Sequence, residues 1–544
     1  MPVINEQFAV TIVGGGPTGL VLAIELGQWN IPCVVLEQNP TTSQFPKASA
    51  NGARTLEHYR RLGIVDDIRS IGFPHETAYY TRLADLELAR LHLAGMHSRT
   101  PQDALIGTWH TPEMPQRMQQ MRVEKMLREK AQALPSVSVR YGWQASQITN
   151  HEDFVEIQVS EISTGNRHTF RSQYVIGCDG PKGLVRRSLG IRYSGEGGVE
   201  REFMGGQMVS TYFRAPELYA VAQGVPATMY WTFNKTRRAV LITANGKDEF
   251  FMFSQVAPGE ELPDEAARSF IRAAVGIDTP IEIIASKPWT AGYSLVAEQY
   301  GRGRALIAGD AAHLFTPTGG FGYNTAVDDV ANLAWKLAAR IQGWGGPKLI
   351  DSFQQERLPI AKRNTDFAAR LSDNIGHITM PENIEDDAAA GVAARVELAR
   401  ICIEHATLEF DSPGIQLGVF YAGSPIIPYA GNAPPDAPNH YVPTGTPGAR
   451  MPHAWLKDGS SLLDKVGHGF LLLILGAKDV NAESFAKAAQ TKKIPFDVFR
   501  CNDKKAHELY GANLVLVRPD QHIAWRGDAL PESPIDLLEK VCGW

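Results

Sequence analysis

A chain of 544 residues, 44% of them hydrophobic, has material for about three domains with cores of their own. Its net charge of −6 offers no basic surface for nucleic acid or anionic membrane, so neither is expected as a partner. The longest markedly apolar stretch, Phe470–Leu475, is far too short to span a bilayer, and residues 1–7 lack the basic start of a secretory signal. A soluble, cytoplasmic protein is expected. The five cysteines stand alone without a C-x-x-C pair, and the histidines show no ligand spacing, so no metal is expected.

In chain order, the first informative stretch is Phe8–Gly19. An apolar, strand-forming run breaks into Gly14-x-Gly16-x-x-Gly19 and then into the helical pattern LVLAIELGQW. Gly14 permits a tight turn, Gly16 lets backbone approach a pyrophosphate, and Gly19 lets the helix pack closely on the sheet. The helix start then offers unpaired N–H groups to phosphate. A second strand, Cys33–Leu36, ends in Glu37, whose carboxylate can accept from a ribose hydroxyl pair at the spacing of about 20 residues such sites use. These features predict a bound dinucleotide.

A helix follows from Arg54, with Leu56, Tyr59 and Leu62 at helical spacing, and residues 74–115 read as short strands. From Pro115 an amphipathic helix carries Met121, Met126, Leu127 and Leu134 on one face. Strands are expected at Val137–Tyr141, Val155–Val159 and Thr169–Ile176, the last running into Asp179-Gly180. Residues 204–256 are β-rich, with candidate strands Met208–Phe213, Thr228–Phe233, Arg238–Ala244 and Phe250–Gln255. A helix over 263–275 and a strand Ile281–Trp289 complete a second layer, inserted between pieces of the nucleotide-binding fold.

The second decisive motif begins at Arg304. A strand, Ala305–Ala308, ends at Gly309-Asp310, and an irregular loop, Pro317-x-Gly319-Gly320-x-Gly322-x-Asn324, enters a helix near Thr325. Asp310 can bind a polyol hydroxyl, and the glycines let backbone N–H groups lie against a flat ring at a helix start. Residues 350–412 read as helical, and a Pro/Gly/Asn-rich linker lies near 430–450. Beyond it come a strand Gly469–Leu475, a helix Ala482–Thr491 and a hairpin of Leu514–Val517 with His522–Trp525.

The three ordered motifs GGGPTG, CDGPKGLVR and GDAAHLFTPTGGFGYN resemble those of the single-component flavoprotein monooxygenases of the aromatic hydroxylase (para-hydroxybenzoate hydroxylase-like) family. The resemblance covers nearly the whole chain. It implies an α/β fold: a Rossmann-type FAD-binding domain (1–75, 116–190 and 290–365) with an inserted β-sheet substrate domain (76–115 and 191–289). A helical segment (366–430), a linker (431–450) and a thioredoxin-like α/β domain (451–544) follow, as in the phenol and polyketide hydroxylase branch. Without C-x-x-C that last domain cannot do dithiol chemistry and is expected to be a structural or dimer-stabilising module.

Carried over by position, the resemblance implies that Gly14, Gly16, Gly19 and Glu37 hold the ADP half of FAD, and that Arg54 and Gln120 are further FAD contacts. It places Asp179 near the cofactor and the nicotinamide donor, and Asp310 on the ribityl and pyrophosphate. The loop bearing Pro317, Gly319, Gly320, Gly322 and Asn324 would wrap the isoalloxazine where O2 reacts. Gly183 and Lys47 depart from the family's serine and arginine. Ser49 and Asn51 occupy a stretch where some relatives carry an acid or imidazole, so no substrate base is read.

The implied chemistry is reduction of FAD by NADH or NADPH, addition of O2 at the flavin C4a, and transfer of the distal oxygen of the hydroperoxyflavin to an electron-rich ring. The expected substrate is a phenol or hydroxylated heteroaromatic such as a hydroxypyridine. Ser49, Tyr212, Tyr230, Trp231, Phe233 and Tyr293 are the candidate pocket residues. A Baeyer–Villiger or polyketide-tailoring oxygenase is the alternative on the same scaffold, and a non-catalytic FAD-binding protein the alternative from another class.

Overall fold

The strand Ile4–Val13 is buried at its end, where Val10, Ile12 and Val13 are apolar and the Thr11 hydroxyl is satisfied by Ser172 Oγ at 2.7 Å, as an interior parallel strand requires. In a computed structural model it is the middle one of five parallel strands, in the order Ala305–Ile307, Arg167–Gly177, Ile4–Val13, Cys33–Glu37, Val137–Tyr141. The structure describes all residues except 1–3, 72–73, 75, 86, 93–108, 201–202, 223–225, 237, 430–431 and 477–479. The short strands expected in 74–115 fall partly outside the described residues. Those seen there are Glu76–Tyr80 and Glu87–His92.

Register decides where the motifs meet. Val13 lies opposite both Leu36 and Gly177, and Gly177 opposite Ile307. The residues that follow these strands, Gly14, Glu37, Asp179 and Asp310, therefore come together at the carboxyl end of the sheet, where ligands bind in open α/β folds. The helix Pro17–Gln28 starts there and is buried along Gly19–Gly27, packed on the long helix Phe321–Gln342.

The second layer is a seven-stranded sheet in the order Glu282–Ala291, Gly206–Arg214, Glu249–Gln255, Arg238–Thr243, Met229–Phe233, Glu76–Tyr80, Glu87–His92. One face, with Tyr230, Leu241 and Phe250, packs on Ile271, Ala274 and Val275 of the helix Asp264–Val275. The opposite face, with Trp231, Phe233 and Ile242, packs towards the helices Lys348–Gly376 and Ala389–Phe410.

The C-terminal residues form a four-stranded sheet in the order Phe496–Cys501, Phe470–Leu475, Leu514–Val517, Ile523–Gly527. The first two are parallel, joined through the helix Glu483–Thr491, and the remaining pairings are antiparallel, which is the thioredoxin-like arrangement. The edge strand Phe496–Cys501 was not expected: it is mostly exposed or half-buried and shows no apolar run.

Buried charges join this unit to the nucleotide-binding half. Glu356 accepts from Arg518 Nη1 (2.7 Å) and Nη2 (2.9 Å), from Lys336 Nζ (2.6 Å) and from Asn332 Nδ2 (2.7 Å), and all of these groups are buried. Arg54 donates to Gln521 Oε1 (2.8 Å) and to the Asp520 carbonyl (2.7 Å). Among the described residues no helix is long and apolar enough to cross a membrane.

Candidate active site

At the glycine turn, Gly14 has φ +109°, and a β-carbon there would lie 2.2 Å from the Cys178 carbonyl oxygen. A β-carbon at Gly19 would lie 2.0 Å from the Gly14 carbonyl oxygen, so this glycine sets how closely the helix approaches the strand. Gly16 differs: a β-carbon there meets no atom within 4 Å, because the residue faces open space at the helix start. Glu37 Oε2 accepts from Gly15 N and Oε1 from Asn39 N, both at 2.8 Å, which fixes the carboxylate at the rim.

This open space is a cavity of about 1230 Å³ that runs from Gly14, Gly16 and Glu37 past Asp179 and Asp310 to the seven-stranded sheet. Asp179 Oδ2 accepts from Val185 N (3.0 Å), while Oδ1 is buried with no hydrogen-bond partner among the described residues. Desolvation raises its pKa, opposed by backbone N–H groups. A β-carbon at Gly183 would sit 2.2 Å from Asp179 Oδ1, so the glycine makes room for this carboxylate. Asp310 lines the cavity with its residue exposed there, and desolvation raises its pKa against the pull of His313 and Lys47.

The loop before the long helix uses left-handed glycines, Gly319 at φ +75° and Gly320 at φ +66°. Pro317, Gly319, Gly320 and Gly322 line the cavity, as do Gln120 and Ser49. Asn324 does not. Its Oδ1 accepts from Gly52 N (2.7 Å) and Thr55 Oγ1 (2.6 Å), and its Nδ2 donates to the carbonyls of Ala50 (3.0 Å) and Gly320 (2.7 Å). It staples the loop to the chain at 50–55 and acts by position.

Arg54 is likewise off the cavity, its guanidinium committed to Glu57, Gln521 and the Asp520 carbonyl. Asn51 turns to the carbonyls of Gln116 and Met118. Of the aromatic candidates, Trp231 and Tyr293 line the cavity. Tyr230 points to the opposite face because strand side chains alternate, and its hydroxyl accepts from Ala227 N (2.9 Å). Phe233 stays in the core against Tyr79, and Tyr212 donates to Glu249 Oε2 (2.5 Å). Sequence reasoning missed Met229, Val240, Ile242 and Phe253 on the sheet, and Ile375 and Phe410 from the two helices over it. Period-two alternation with Trp231 marks Met229, but nothing local marks the helical pair.

The residues fit a dinucleotide. The helix start at Gly16 is an uncovered cradle, Asp179 Oδ1 is a buried acceptor without a donor among the described residues, and the cavity exceeds the roughly 300–1,000 Å³ of ordinary small-ligand sites. Sheet, cradle and cavity together define a dinucleotide-binding α/β protein. Residues 7–368 match the family described as FAD binding domain, and residues 444–544 match the aromatic-ring hydroxylase C-terminal domain. The chain belongs to this family of FAD-dependent aromatic-ring monooxygenases, which use O2 and a reduced nicotinamide.

Among its relatives, FAD-dependent monooxygenase apdD of Emericella nidulans is 29% identical over 96% of this chain and 88% of its own. Phenol 2-monooxygenase of Pseudomonas sp. is 27% identical over 98% and 92%. The solved structure of chromopyrrolic acid-soaked RebC with bound 7-carboxy-K252c superposes with a TM-score of 0.89 at 31% identity, covering 99% of both chains.

Proposed function

We propose that the enzyme places one oxygen atom of O2 on a phenol or hydroxylated heteroaromatic, such as a hydroxypyridine, held between the seven-stranded sheet and the loop 317–324. The observation that carries this reading is the continuity of the cavity: the wall formed by Trp231, Ile242 and Phe253 opens onto Pro317, Gly319 and Gly320. A flat apolar ring fits such a wall, and the loop backbone lies at its edge.

In this reading Gly14, Gly16 and Glu37 hold the adenosine and pyrophosphate end of FAD, with Gln120, Asp179 and Asp310 along its length and the loop glycines at its ring. Bound FAD, reduced by NADH or NADPH, supplies the electrons and the oxygen activation that no side chain provides. The chain's own part is to bind, orient and keep water out. Glu37 and Asp310 accept hydrogen bonds from hydroxyl groups, Gly16 exposes N–H groups at a helix start, and the sheet excludes water from the ring.

The test is to purify the protein, look for the yellow chromophore, and follow NADH and NADPH loss across a panel of phenols and hydroxypyridines with product masses. A product heavier by one oxygen on the ring supports the reading. Flavin reduction that no aromatic accelerates, with no oxygenated product, refutes it, and a lactone product favours a Baeyer–Villiger enzyme. Asp310→Ala should lose FAD.

A further inference from the structure

Arg117 lies on the short strand Gln116–Arg117, paired with Ala50–Asn51, and lines the cavity. It is 6% exposed. Its one hydrogen bond among the described residues runs from Nη1 to Ser49 Oγ at a long 3.3 Å, and Nε has no acceptor. The guanidinium lies 5.1 Å from the centre of the Phe410 ring.

A buried guanidinium is ordinarily paired, because desolvating an isolated charge is costly. Arg357, Arg450 and Arg518 of this protein follow that rule, each meeting a carboxylate in the interior. Arg117 forms no ion pair among the described residues. Glu409 acts on it only at longer range, since Glu409 Oε1 accepts from Gly319 N (2.8 Å) and Oε2 lies 3.2 Å from His405 Nε2. Desolvation lowers the Arg117 pKa to about 10, which leaves it charged at neutral pH.

We infer that Arg117, with Ser49 beside it, is the anion-binding point of the substrate pocket, and that the aromatic substrate carries a carboxylate that pairs with the guanidinium. The planar fork of arginine matches a carboxylate's two oxygens, and Phe410 and Ile375 on the neighbouring wall take apolar surface. The inference rests on the proposed aromatic substrate and adds its charge.

The test titrates the FAD-loaded full-length protein with 3-hydroxybenzoate, 3-hydroxybenzamide and 3-hydroxybenzyl alcohol, and with the same trio on a naphthalene ring. Flavin absorbance and heat of binding are read independently. The acid should bind about tenfold or more tightly than its neutral partners. Arg117→Met should erase that preference with flavin content unchanged, and Arg117→Lys should keep part of it. Equal affinities in the unmodified protein, or a preference that survives Arg117→Met, overturn the inference. If Arg117→Met does not fold, the unmodified protein's preference and the Arg117→Lys variant decide. Neutral ligands that bind without any gain for the acid remove only the anion point. Failure of all six ligands to bind removes the aromatic reading as well.

Discussion

Glu57 and Arg450 stand 393 residues apart in the chain and meet in the interior, where Arg450 Nε donates to Glu57 Oε2 at 2.8 Å. Neither side chain is more than 1% exposed. Removing Arg450 leaves the Glu57 charge in a dry site with only Arg54 (2.9 Å) and Thr111 (2.7 Å) to hold it. Arg450→Ala should therefore cost about 3–5 kcal/mol in a urea unfolding curve, whereas replacing both residues by leucine should recover much of the loss. A single mutant as stable as the parent would show that the pair contributes nothing.

The same cluster sets an acid limit. Desolvation alone would raise the Glu57 pKa, but Arg450, Arg54 and Thr111 hold it down at about 2, against an ordinary 4.5. A depressed carboxylate adds stability that is complete above its unfolded value and is lost as pH falls towards the folded one, on the order of 3 kcal/mol here. His58 acts in the same direction from higher pH. Desolvation and Arg54 lower its pKa from 6.5 to about 4, with Asp328 only partly opposing. The unfolded chain thus takes up a proton between those values that the folded chain refuses. Unfolding midpoints should fall between pH 6.5 and 4, and the upper part of that fall should vanish in His58→Asn; an unchanged profile in that mutant would remove His58 from the account.

The glycine turn separates folding from binding. Gly14→Ala puts a β-carbon against the Cys178 carbonyl at a positive φ, and should destabilise the apoprotein by about 3 kcal/mol or more. Gly16 is extended and faces open space, so Gly16→Ala should fold normally yet purify with little flavin. The apoprotein melting temperature and the flavin-to-protein absorbance ratio read the two effects separately. Full flavin content in Gly16→Ala would show that the cradle is not where the pyrophosphate lies.

Two neighbours on one strand should behave in opposite ways. Trp231→Leu changes the cavity wall and should raise KM for the aromatic by about tenfold with the flavin still bound. Tyr230→Phe leaves the Ala227 N–H without its acceptor and should cost about 1–3 kcal/mol of stability with kinetics unchanged. If Tyr230→Phe alters KM while Trp231→Leu does not, the assignment of the two faces is reversed.

The contrast also marks what was legible in the sequence. The glycine turn, Glu37, Asp179 and Asp310 are local signals, each a strand end followed by a turn, and parallel register brings them together at one edge. Period two separates Tyr230 from Trp231, but which of them meets the cavity depends on the helix Asp264–Val275 covering the other face. Arg54 sits in a stretch that resembles a cofactor contact, yet its partner Gln521 lies 467 residues away and no local pattern announces it. Glu409 and Phe410 reach the site through the packing of a helix far along the chain, which spacing does not encode.

The cluster around Glu356 has a consequence for synthesis. On the ribosome Glu356 emerges 162 residues before Arg518, and Asn332 emerges 188 residues before Asp520. Until those partners arrive, Glu356 and Lys336 keep their hydration shells, and the helices that carry them have no dry seat. These buried groups of the flavin-binding half therefore have their full set of partners only after the tail has been made.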